Sequence, residues 1–265
     1  MERGVKPPHS KLRQRRKFRA GFYCAVDGFV AFSAAVSDFL RPLKNLRFRI
    51  FYGALLCRRH PLIELGNRPN YAQWMFCPSG LDENSIVYSG GVGRDLSFDH
   101  ALVKKFGCPV NLFDGTPTGN ETMTLPENKI PQFKYHPVAL AGRCGVLTFS
   151  QPQDKVEGSW AWFKHSGGAA ALEVPCVDLA TLMRRNGHDH IDLLKIDIEG
   201  AEYEVIDDLL RRRLPVKQVL VEFHHRILPG VRRGQTTRAI LKMVAAGYRL
   251  LKKDVDNHTF LKPAR

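Results

Sequence analysis

Closely spaced cysteines are missing from this 265-residue sequence. The six cysteines lie roughly 20 to 35 residues apart without a C-x-x-C pair, so neither a disulfide framework nor a structural zinc site is expected. Glycine and proline are not enriched either, at 22 and 16 residues, which excludes collagen-like chains. With 44% hydrophobic and 25% charged residues, the composition also excludes disordered and coiled-coil proteins. We therefore expect one large α/β domain, alone or with an appendage, with free thiols in a reducing compartment.

Acidic residues are scarce only near the amino terminus. Residues 1–60 carry 14 Lys and Arg against three acidic residues, whereas residues 61–265 carry 26 Lys and Arg against 23 Asp and Glu, a net charge of +3. The excess is concentrated in Lys11–Arg19, a run that suits anionic lipid or nucleic acid and is also typical of a solvated terminus. Because the rest of the chain is nearly neutral, nucleic acid is not the expected partner. We predict a basic N-terminal segment at 1–60 and a folded domain at 61–265.

An uninterrupted apolar stretch long enough to span a membrane is also lacking. The best candidate, Gly21–Leu40, contains Asp27 in its interior and Asp38 near its end, and a central Asp costs about 2.5–3.5 kcal/mol on insertion. No convincing signal-peptide cleavage site accompanies it. The stretch instead favours an amphipathic helix that packs on the domain or lies on a membrane surface. We expect a cytoplasmic protein, with residues 1–40 available for peripheral contact with anionic membranes.

Apolar runs alternate with helical patterns from residue 86 onward. Strands are predicted at Ile86–Tyr88, Val110–Phe113, Tyr135–Ala141, Val146–Ser150, Ile191–Ile198, Val219–Phe223, Tyr248–Leu251 and His258–Leu261. Helices are predicted from Phe98 to a C-cap at Gly107, at Leu179–Arg185 after the N-cap Asp178, at Ala201–Arg212, and from an N-cap at Thr236 to Gly247. This alternation predicts an α/β fold with a mostly parallel central sheet, helices on both faces and an antiparallel C-terminal hairpin.

A glycine-rich turn follows the first of these strands. Gly90, Gly91 and Gly93 let the backbone approach a ligand closely at the carboxyl edge of the sheet, where ligands of such folds bind. Leu96 occupies the third glycine position of the G-x-G-x-x-G pattern, so the dinucleotide fingerprint is incomplete. Asp114 ends the second strand, where an acidic residue usually holds a ribose hydroxyl. Loop and acid together indicate an adenosine-containing ligand without a pyrophosphate; the alternative is a tight turn beside a turn-forming Asp.

Charged residues are embedded in the Ile191–Ile198 run. Lys195, Asp197 and Glu199 alternate with apolar residues and share one face of an extended strand. A buried lysine needs a counterion, which Asp197 or Glu222 on the next strand could supply. A structural ion pair is therefore the alternative to a functional site.

Two histidines follow the Val219–Phe223 strand. His224 shares a strand face with Glu222, and His225 is its neighbour. A histidine at a strand end is a candidate general base, or else a hydrogen-bonded part of the scaffold. No compact ligand cluster in the sequence demands a metal, so no metal-ligating residue is predicted, and metal dependence stays open.

Four stretches carry a family resemblance. They are IDLLKIDIEGAEYEVI (Ile191–Ile206), VLVEFHH (Val219–His225), VYSGGVGRDLSFDHAL (Val87–Leu102) and FDGTP (Phe113–Pro117), and the Lys195–Glu202 block is the most specific part. Over roughly residues 78–262, the chain resembles the FkbM-type methyltransferase family. The resemblance implies an S-adenosylmethionine-dependent enzyme on the Rossmann-like class I methyltransferase fold.

The resemblance also implies roles for individual positions. The loop glycines would pass under the methionine moiety, Asp114 would accept hydrogen bonds from the ribose hydroxyls, and Asp197 would face the cofactor amino group or the acceptor. The sequence departs from the family at the end of the first strand, where Tyr88 and Ser89 replace the acidic residue that class I methyltransferases often carry, and Asp95 in the loop would compensate for it. A hydroxyl acceptor also loses a proton, which His224 or His225 would accept, with Asp197 and Glu199 as competitors. The predicted cofactor-binding residues are Ser89, Gly90, Gly91, Gly93, Asp95, Asp114 and Asp197, and the predicted catalytic residues are His224, His225, Asp197 and Glu199.

The implied reaction is O-methylation of a hydroxyl on a sugar, a glycan or a natural product. The aromatic stretch Gln151–Gly168 would suit a sugar acceptor or fill the core as a lid. Two other functions stay open. One is a nicotinamide-dependent oxidoreductase, which the incomplete glycine pattern disfavours. The other is a basic module that binds nucleic acid or a membrane surface through residues 1–60.

Overall fold

The computed structural model describes residues 50–67, 72–150, 171–225 and 233–263. The chain divides into two units, Met1–Ala54 and Leu55–Arg265, and the elements below belong to the second. The predicted amphipathic helix within residues 1–40 and the aromatic stretch 151–168 lie outside the described residues. Within the described ranges, no helix is long and apolar enough to cross a membrane. The domain boundary expected at residue 60 stays a prediction.

The second unit is built from short strands and helices. The strands are β1 (Ile63–Leu65), β2 (Trp74–Phe76), β3 (Val87–Gly90), β4 (Val110–Phe113), β5 (Phe133–His136), β6 (Ala139–Ala141), β7 (Gly145–Ser150), β8 (Ala171–Asp178), β9 (Ile191–Ile196), β10 (Val216–Glu222), β11 (Arg249–Asp254) and β12 (Asn257–Leu261). The helices are α1 (Ser97–Phe106), α2 (Pro117–Thr124), α3 (Leu179–Asn186), α4 (Glu202–Arg212) and α5 (Arg233–Ala245), with a 3₁₀ turn at Pro126–Asn128. The five cysteines in the described part of the chain are free thiols, as expected.

Seven strands form the central sheet, in the order β11-β12-β10-β9-β3-β4-β5. The five strands from β10 to β5 pair in parallel, and β12 pairs antiparallel with both β10 and β11. The predicted α/β class, mostly parallel sheet and antiparallel C-terminal hairpin are therefore confirmed. Within this hairpin, the second strand, β12, lies beside β10, and the first strand, β11, forms the edge of the sheet.

The switch point of this sheet lies between β3 and β9. From β3 the chain crosses to β4 and β5 on one side, whereas β9 leads to β10 on the other. Right-handed crossovers in opposite directions place their helices on opposite faces of the sheet. Leu193, Leu194 and Ile196 of β9 are fully buried, as the apolar run predicts for a central parallel strand. Each such side chain stabilises the fold by about 1.5–3 kcal/mol, so the switch point rests on a rigid core.

The predicted strand Tyr135–Ala141 is wrong as a single element. β5 ends at His136 in the central sheet, and β6 begins at Ala139 in a separate three-stranded sheet of order β6-β8-β7. Pro137 stands at the break, where it lacks an amide hydrogen for either ladder. β8 was not predicted at all, because it runs through Pro175 and proline argues against a strand interior.

Two of the predicted helix caps are confirmed and one is wrong. The side chain of Asp178 accepts a hydrogen bond of 2.8 Å from Thr181 N and so begins α3. Gly107 ends α1 in the left-handed conformation, with φ of 75°. Thr236 does not cap α5, because the helix already includes Arg233 and Thr236 lies within it.

Candidate active site

The loops that follow β3 and β9 touch at the switch point. Asp197 N donates to Gly90 O over 3.1 Å, and Gly91 N donates to Phe113 O, at the end of β4, over 3.0 Å. Gly91 has a φ of +86°, and a Cβ there would lie 1.7 Å from the carbonyl oxygen of Asp197. Only glycine fits this position. The close approach of the two strand ends therefore depends on Gly91.

The three predicted loop glycines differ in their surroundings. A Cβ on Gly90 would meet the side chain of Leu140 at 2.9 Å, so protein already fills that space. By contrast, nothing lies within 4 Å of a Cβ built on Gly93, which is exposed. Gly93 is thus exposed with open space beside it, while its N–H donates to Asp114 and its carbonyl oxygen accepts from Thr122 Oγ1. The expected contact of all three glycines with the methionine moiety stays a prediction.

Asp114 holds the glycine loop against the end of β4. Its Oδ2 accepts hydrogen bonds from Val92 N at 3.1 Å and Gly93 N at 3.2 Å. Its Oδ1 accepts from Thr116 N at 2.8 Å. A carboxylate can accept about four hydrogen bonds, so Oδ1 retains one acceptor position. Asp114 therefore fixes the glycine loop, and its predicted contact with a ribose stays a prediction.

Asp95 and Ser89 differ in their surroundings. Asp95 Oδ1 accepts a hydrogen bond of 2.8 Å from Ser97 N at the first turn of α1. Ser89 lies in β3 and is fully buried. The structure thus gives Asp95 a part in starting α1, and the predicted cofactor contacts of both residues stay predictions.

Lys195 is buried against the glycine loop. Its Nζ donates to Gly91 O at 3.0 Å and lies 4.0 Å from Asp197 Oδ2, so Asp197 is one counterion, as expected. A second acid, Asp99 of α1, is also buried, and among the described residues neither of its oxygens has a regular hydrogen-bond partner. Burial raises the pKa of Asp99, while the charge of Lys195 and the neighbouring Ser89 hydroxyl oppose that shift. Lys195, one of the charged residues of β9, therefore helps to hold the glycine loop in place.

Asp197, Glu199 and His224 converge beyond the ends of β9 and β10, and we call these three residues the carboxyl-edge cluster. Nε2 of His224 lies 3.6 Å from Asp197 Oδ1 and 3.5 Å from Glu199 Oε2. One possible ligand atom from each residue lies within 4.8 Å of the other two. Glu199 has a φ of +50°, a strained conformation that is uncommon outside glycine and often found at functional sites. Local spacing in the sequence did not reveal this compact group, because its members follow two different strands, and the expectation of no metal ligand stays a prediction.

Glu202 orients this cluster from the start of α4. It is fully buried, and its Oε2 accepts a hydrogen bond of 2.7 Å from Gly200 N. Its Oε1 accepts from His224 N at 3.0 Å and lies 3.3 Å from His224 Nδ1. Because Nδ1 of His224 faces Glu202, the other ring nitrogen, Nε2, faces the carboxylates of Asp197 and Glu199.

Burial and the neighbouring negative charges shift two pKa values at this site. Burial by itself lowers the pKa of His224, but the hydrogen bond to Glu202 and the charges of the cluster carboxylates outweigh it and raise the pKa to about 10. Burial, reinforced by the charge of Asp197, raises the pKa of Glu222 to about 8. The site therefore favours positive charge at its centre.

His225 takes part in a different network. Its Nδ1 lies 3.1 Å from Thr236 Oγ1, which in turn lies 2.9 Å from the hydroxyl of Tyr203. The two neighbouring histidines therefore separate: His224 joins the carboxyl-edge cluster, while His225 links the end of β10 to α4 and α5. Their shared prediction as general bases is not tested by this arrangement.

Sequence reasoning missed the roles of Glu202 and Glu222. Glu202 ends the Lys195–Glu202 block, so its motif was recognised without a role for its last residue. Glu222 was considered only as a counterion for Lys195. The available signal was the placement of both acids at the same sheet edge as Asp197.

A cleft lies at the opposite edge of the sheet, near the starts of β9 and β10, and an active site is not expected there. Its walls include Asp192, at the start of β9, and Lys217, at the start of β10. Ligands of such sheets bind at the carboxyl ends of the strands. The glycine loop and the carboxyl-edge cluster lie at those ends, and this cleft does not.

Known proteins resemble the chain to different degrees. Residues 90–250 match the Methyltransferase FkbM domain family. No curated protein matches the sequence. A similar solved structure is fibrillarin of Aeropyrum pernix in complex with natively bound S-adenosyl-L-methionine, with 11% identity, 68% of this chain and 66% of that chain covered, and a TM-score of 0.38.

Two further solved structures show comparable similarity. The fibrillarin pre-rRNA processing protein of Methanococcus jannaschii has 10% identity, coverage of 78% of this chain and 84% of that one, and a TM-score of 0.38. A methyltransferase from Pyrococcus furiosus has 12% identity, coverage of 86% and 100%, and a TM-score of 0.35. These likenesses are weak, and the assignment rests on the family match, which covers more than half of the chain and includes both the glycine loop and the Lys195–Glu202 block. The chain therefore belongs to the FkbM methyltransferase family, and its central sheet agrees with the predicted Rossmann-like class I methyltransferase fold.

Proposed function

We propose that this protein transfers the methyl group of S-adenosylmethionine to a hydroxyl oxygen of a sugar, a glycan or a natural product. One observation carries the proposal: in a chain of the FkbM family, the glycine loop after β3, the acid after β4 and the carboxyl-edge cluster after β9 adjoin at the switch point. Ligands of doubly wound sheets bind at this point.

The residues around the glycine loop fit the cofactor. Gly93 is exposed, with open space beside it for a ligand. Asp114 lies at the end of the neighbouring strand and retains an acceptor position for a ribose hydroxyl. S-adenosylmethionine would supply an activated methyl group there, and the protein would hold its adenosine and methionine portions in place.

The reaction needs alignment and one proton acceptor. Methyl transfer from a sulfonium is an in-line displacement: the S–CH₃ bond breaks as the O–CH₃ bond forms, with the reacting atoms held about 3–3.5 Å apart. The acceptor hydroxyl loses its proton to a base. Asp197 and Glu199 have side chains 32% and 23% exposed, whereas His224 is only 3% exposed. We therefore assign proton acceptance to one of the two carboxylates, and a positioning role to His224.

Calorimetric titration of S-adenosylhomocysteine tests the cofactor assignment. We expect the wild type to bind one equivalent and Asp114→Asn to bind at least tenfold more weakly. An Asn has a single acceptor oxygen, so it can serve the loop amides or Thr116 N, but not both. The matched control is Asp207→Asn, which alters a carboxylate that is 55% exposed on α4 and should bind like the wild type.

The outcomes separate the candidate functions. A folded wild type that does not bind S-adenosylhomocysteine contradicts the proposal. A change in the fluorescence of reduced nicotinamide on mixing with the same protein would favour the oxidoreductase alternative.

A further inference from the structure

We propose that the carboxyl-edge cluster binds one divalent metal ion of the first transition row. Nε2 of His224 lies 3.6 Å from Asp197 Oδ1 and 3.5 Å from Glu199 Oε2, and the three possible ligand atoms lie within 4.8 Å of one another. These residues come from two strand ends that neighbour each other in the sheet. The family match does not assign a metal to them.

The distances suit a shared cation better than direct hydrogen bonds. Hydrogen bonds between nitrogen and oxygen are usually 2.7–3.2 Å long, and both contacts of Nε2 exceed that range. An ion between Nε2 and the carboxylates could approach the 2.0–2.2 Å bonds that imidazole and carboxylate ligands form. Only small side-chain adjustments are therefore needed.

The surroundings of His224 also suit a metal ligand. Its side chain is 3% exposed, and its Nε2 faces two carboxylates at 3.5 and 3.6 Å. Its Nδ1 lies 3.3 Å from Glu202 Oε1. Metal-bound histidines almost always donate their second ring N–H to such a carboxylate or carbonyl, which orients the ring. Glu202 is therefore placed as the outer partner of a metal ligand.

The ligand set also indicates the kind of ion. Carboxylate oxygens suit Mg²⁺ and Mn²⁺, and imidazole nitrogen suits first-row transition metals, so Mn²⁺ satisfies both. Three protein ligands leave positions open on the ion. The part that the ion plays in methyl transfer rests on the proposed function: the acceptor oxygen would bind at an open position, and the uncoordinated oxygen of Asp197 or Glu199 would receive its proton.

Electron paramagnetic resonance of Mn²⁺ tests the site without an activity assay. The signal of free Mn²⁺ is followed as purified full-length protein is added, with and without S-adenosylhomocysteine. We expect one Mn²⁺ per chain for the wild type. Glu199→Gln and Asp197→Asn should each weaken binding at least tenfold, because both side chains are partly exposed and can be changed without opening the core. Glu121→Gln removes an exposed carboxylate from α2 and should bind like the wild type.

Two results would contradict the proposed metal site. A folded wild type that leaves the Mn²⁺ signal unchanged overturns the inference, and so does Glu199→Gln that binds as tightly as the wild type. Calorimetry with S-adenosylhomocysteine on the same samples separates this inference from the proposed function. Cofactor binding without Mn²⁺ binding contradicts the metal site alone, and Mn²⁺ binding without cofactor binding contradicts the proposed function alone.

Discussion

Alanine substitution of two loop glycines should have very different effects. At Gly93, which has a φ of +54° and open space around the missing Cβ, Ala suffers only the left-handed backbone conformation. That conformation costs about 1–2 kcal/mol for a residue other than glycine. At Gly91 the same backbone cost applies, and the new Cβ also lies 1.7 Å from the carbonyl oxygen of Asp197.

The second cost at Gly91 follows from the backbone on both sides. To move the Cβ from 1.7 Å to 3.0 Å, the nearest separation that real Cβ atoms show, the loops after β3 and β9 must part by about 1.3 Å. That movement breaks the 3.1 Å hydrogen bond from Asp197 N to Gly90 O, which is worth about 0.5–1.5 kcal/mol. It also displaces Gly91 O from Lys195 Nζ. A hydrogen bond from a charged group is worth about 1.5–3 kcal/mol, so with all three contributions we expect Gly91→Ala to cost at least about 3 kcal/mol, roughly twice the cost of Gly93→Ala.

Urea unfolding and calorimetry with S-adenosylhomocysteine measure the two consequences. Gly93→Ala should unfold slightly earlier than the wild type, with an unchanged dependence on urea. Gly91→Ala should unfold much earlier and lose cofactor binding even where it is still folded. Equal losses of stability in the two variants would refute the reasoning, because they would mean that the loops part without cost.

Three further predictions concern the framework of the site. Burial lowers the pKa of His258 to about 3. Between pH 6.5 and pH 3, His258 is therefore protonated in the unfolded chain but stays neutral in the folded one. The contribution of His258 to the free energy of unfolding should therefore be complete above pH 6.5 and fall by up to about 1.4 kcal/mol per pH unit below it. Urea titrations at pH 7 and 5.5 should show a smaller fall in stability for His258→Asn than for the wild type. Gln218→Leu should cost about 2–4 kcal/mol in urea unfolding, because it leaves both Cys77 N and Cys77 O without their hydrogen bonds of 2.8 and 3.0 Å in the core; a loss below 1 kcal/mol, on the order of one hydrogen bond, would contradict this. Lys195→Met should cost about 3–5 kcal/mol because it leaves the carboxylate of Asp99 buried without its nearby cation. Adding Asp99→Asn should restore part of that loss, and strictly additive effects in the double-mutant cycle would show that the two side chains are not coupled.

Local spacing in the sequence was enough for much of the fold. The apolar run of β9, the N-cap Asp178 and the C-cap Gly107 depend on neighbours within a few residues, so their patterns predict the element directly. The same is true of Asp114 and Asp197, whose positions at strand ends place them at the carboxyl edge of any parallel sheet. The predicted strand Tyr135–Ala141 failed because its two halves have different pairing partners, which no local pattern specifies.

The carboxyl-edge cluster needed the tertiary structure. The sequence predicts Asp197, Glu199 and His224 at the ends of two strands, and it predicts the same role of general base for His224 and His225. Parallel pairing of β9 with β10, in the observed register, brings the first three side chains together. Burial of Glu202 then orients His224 towards the carboxylates, while Thr236 engages His225. Strand order and register arise from packing over the whole sheet, so the sequence determined which groups reach this edge, and only the tertiary structure decided which of them meet.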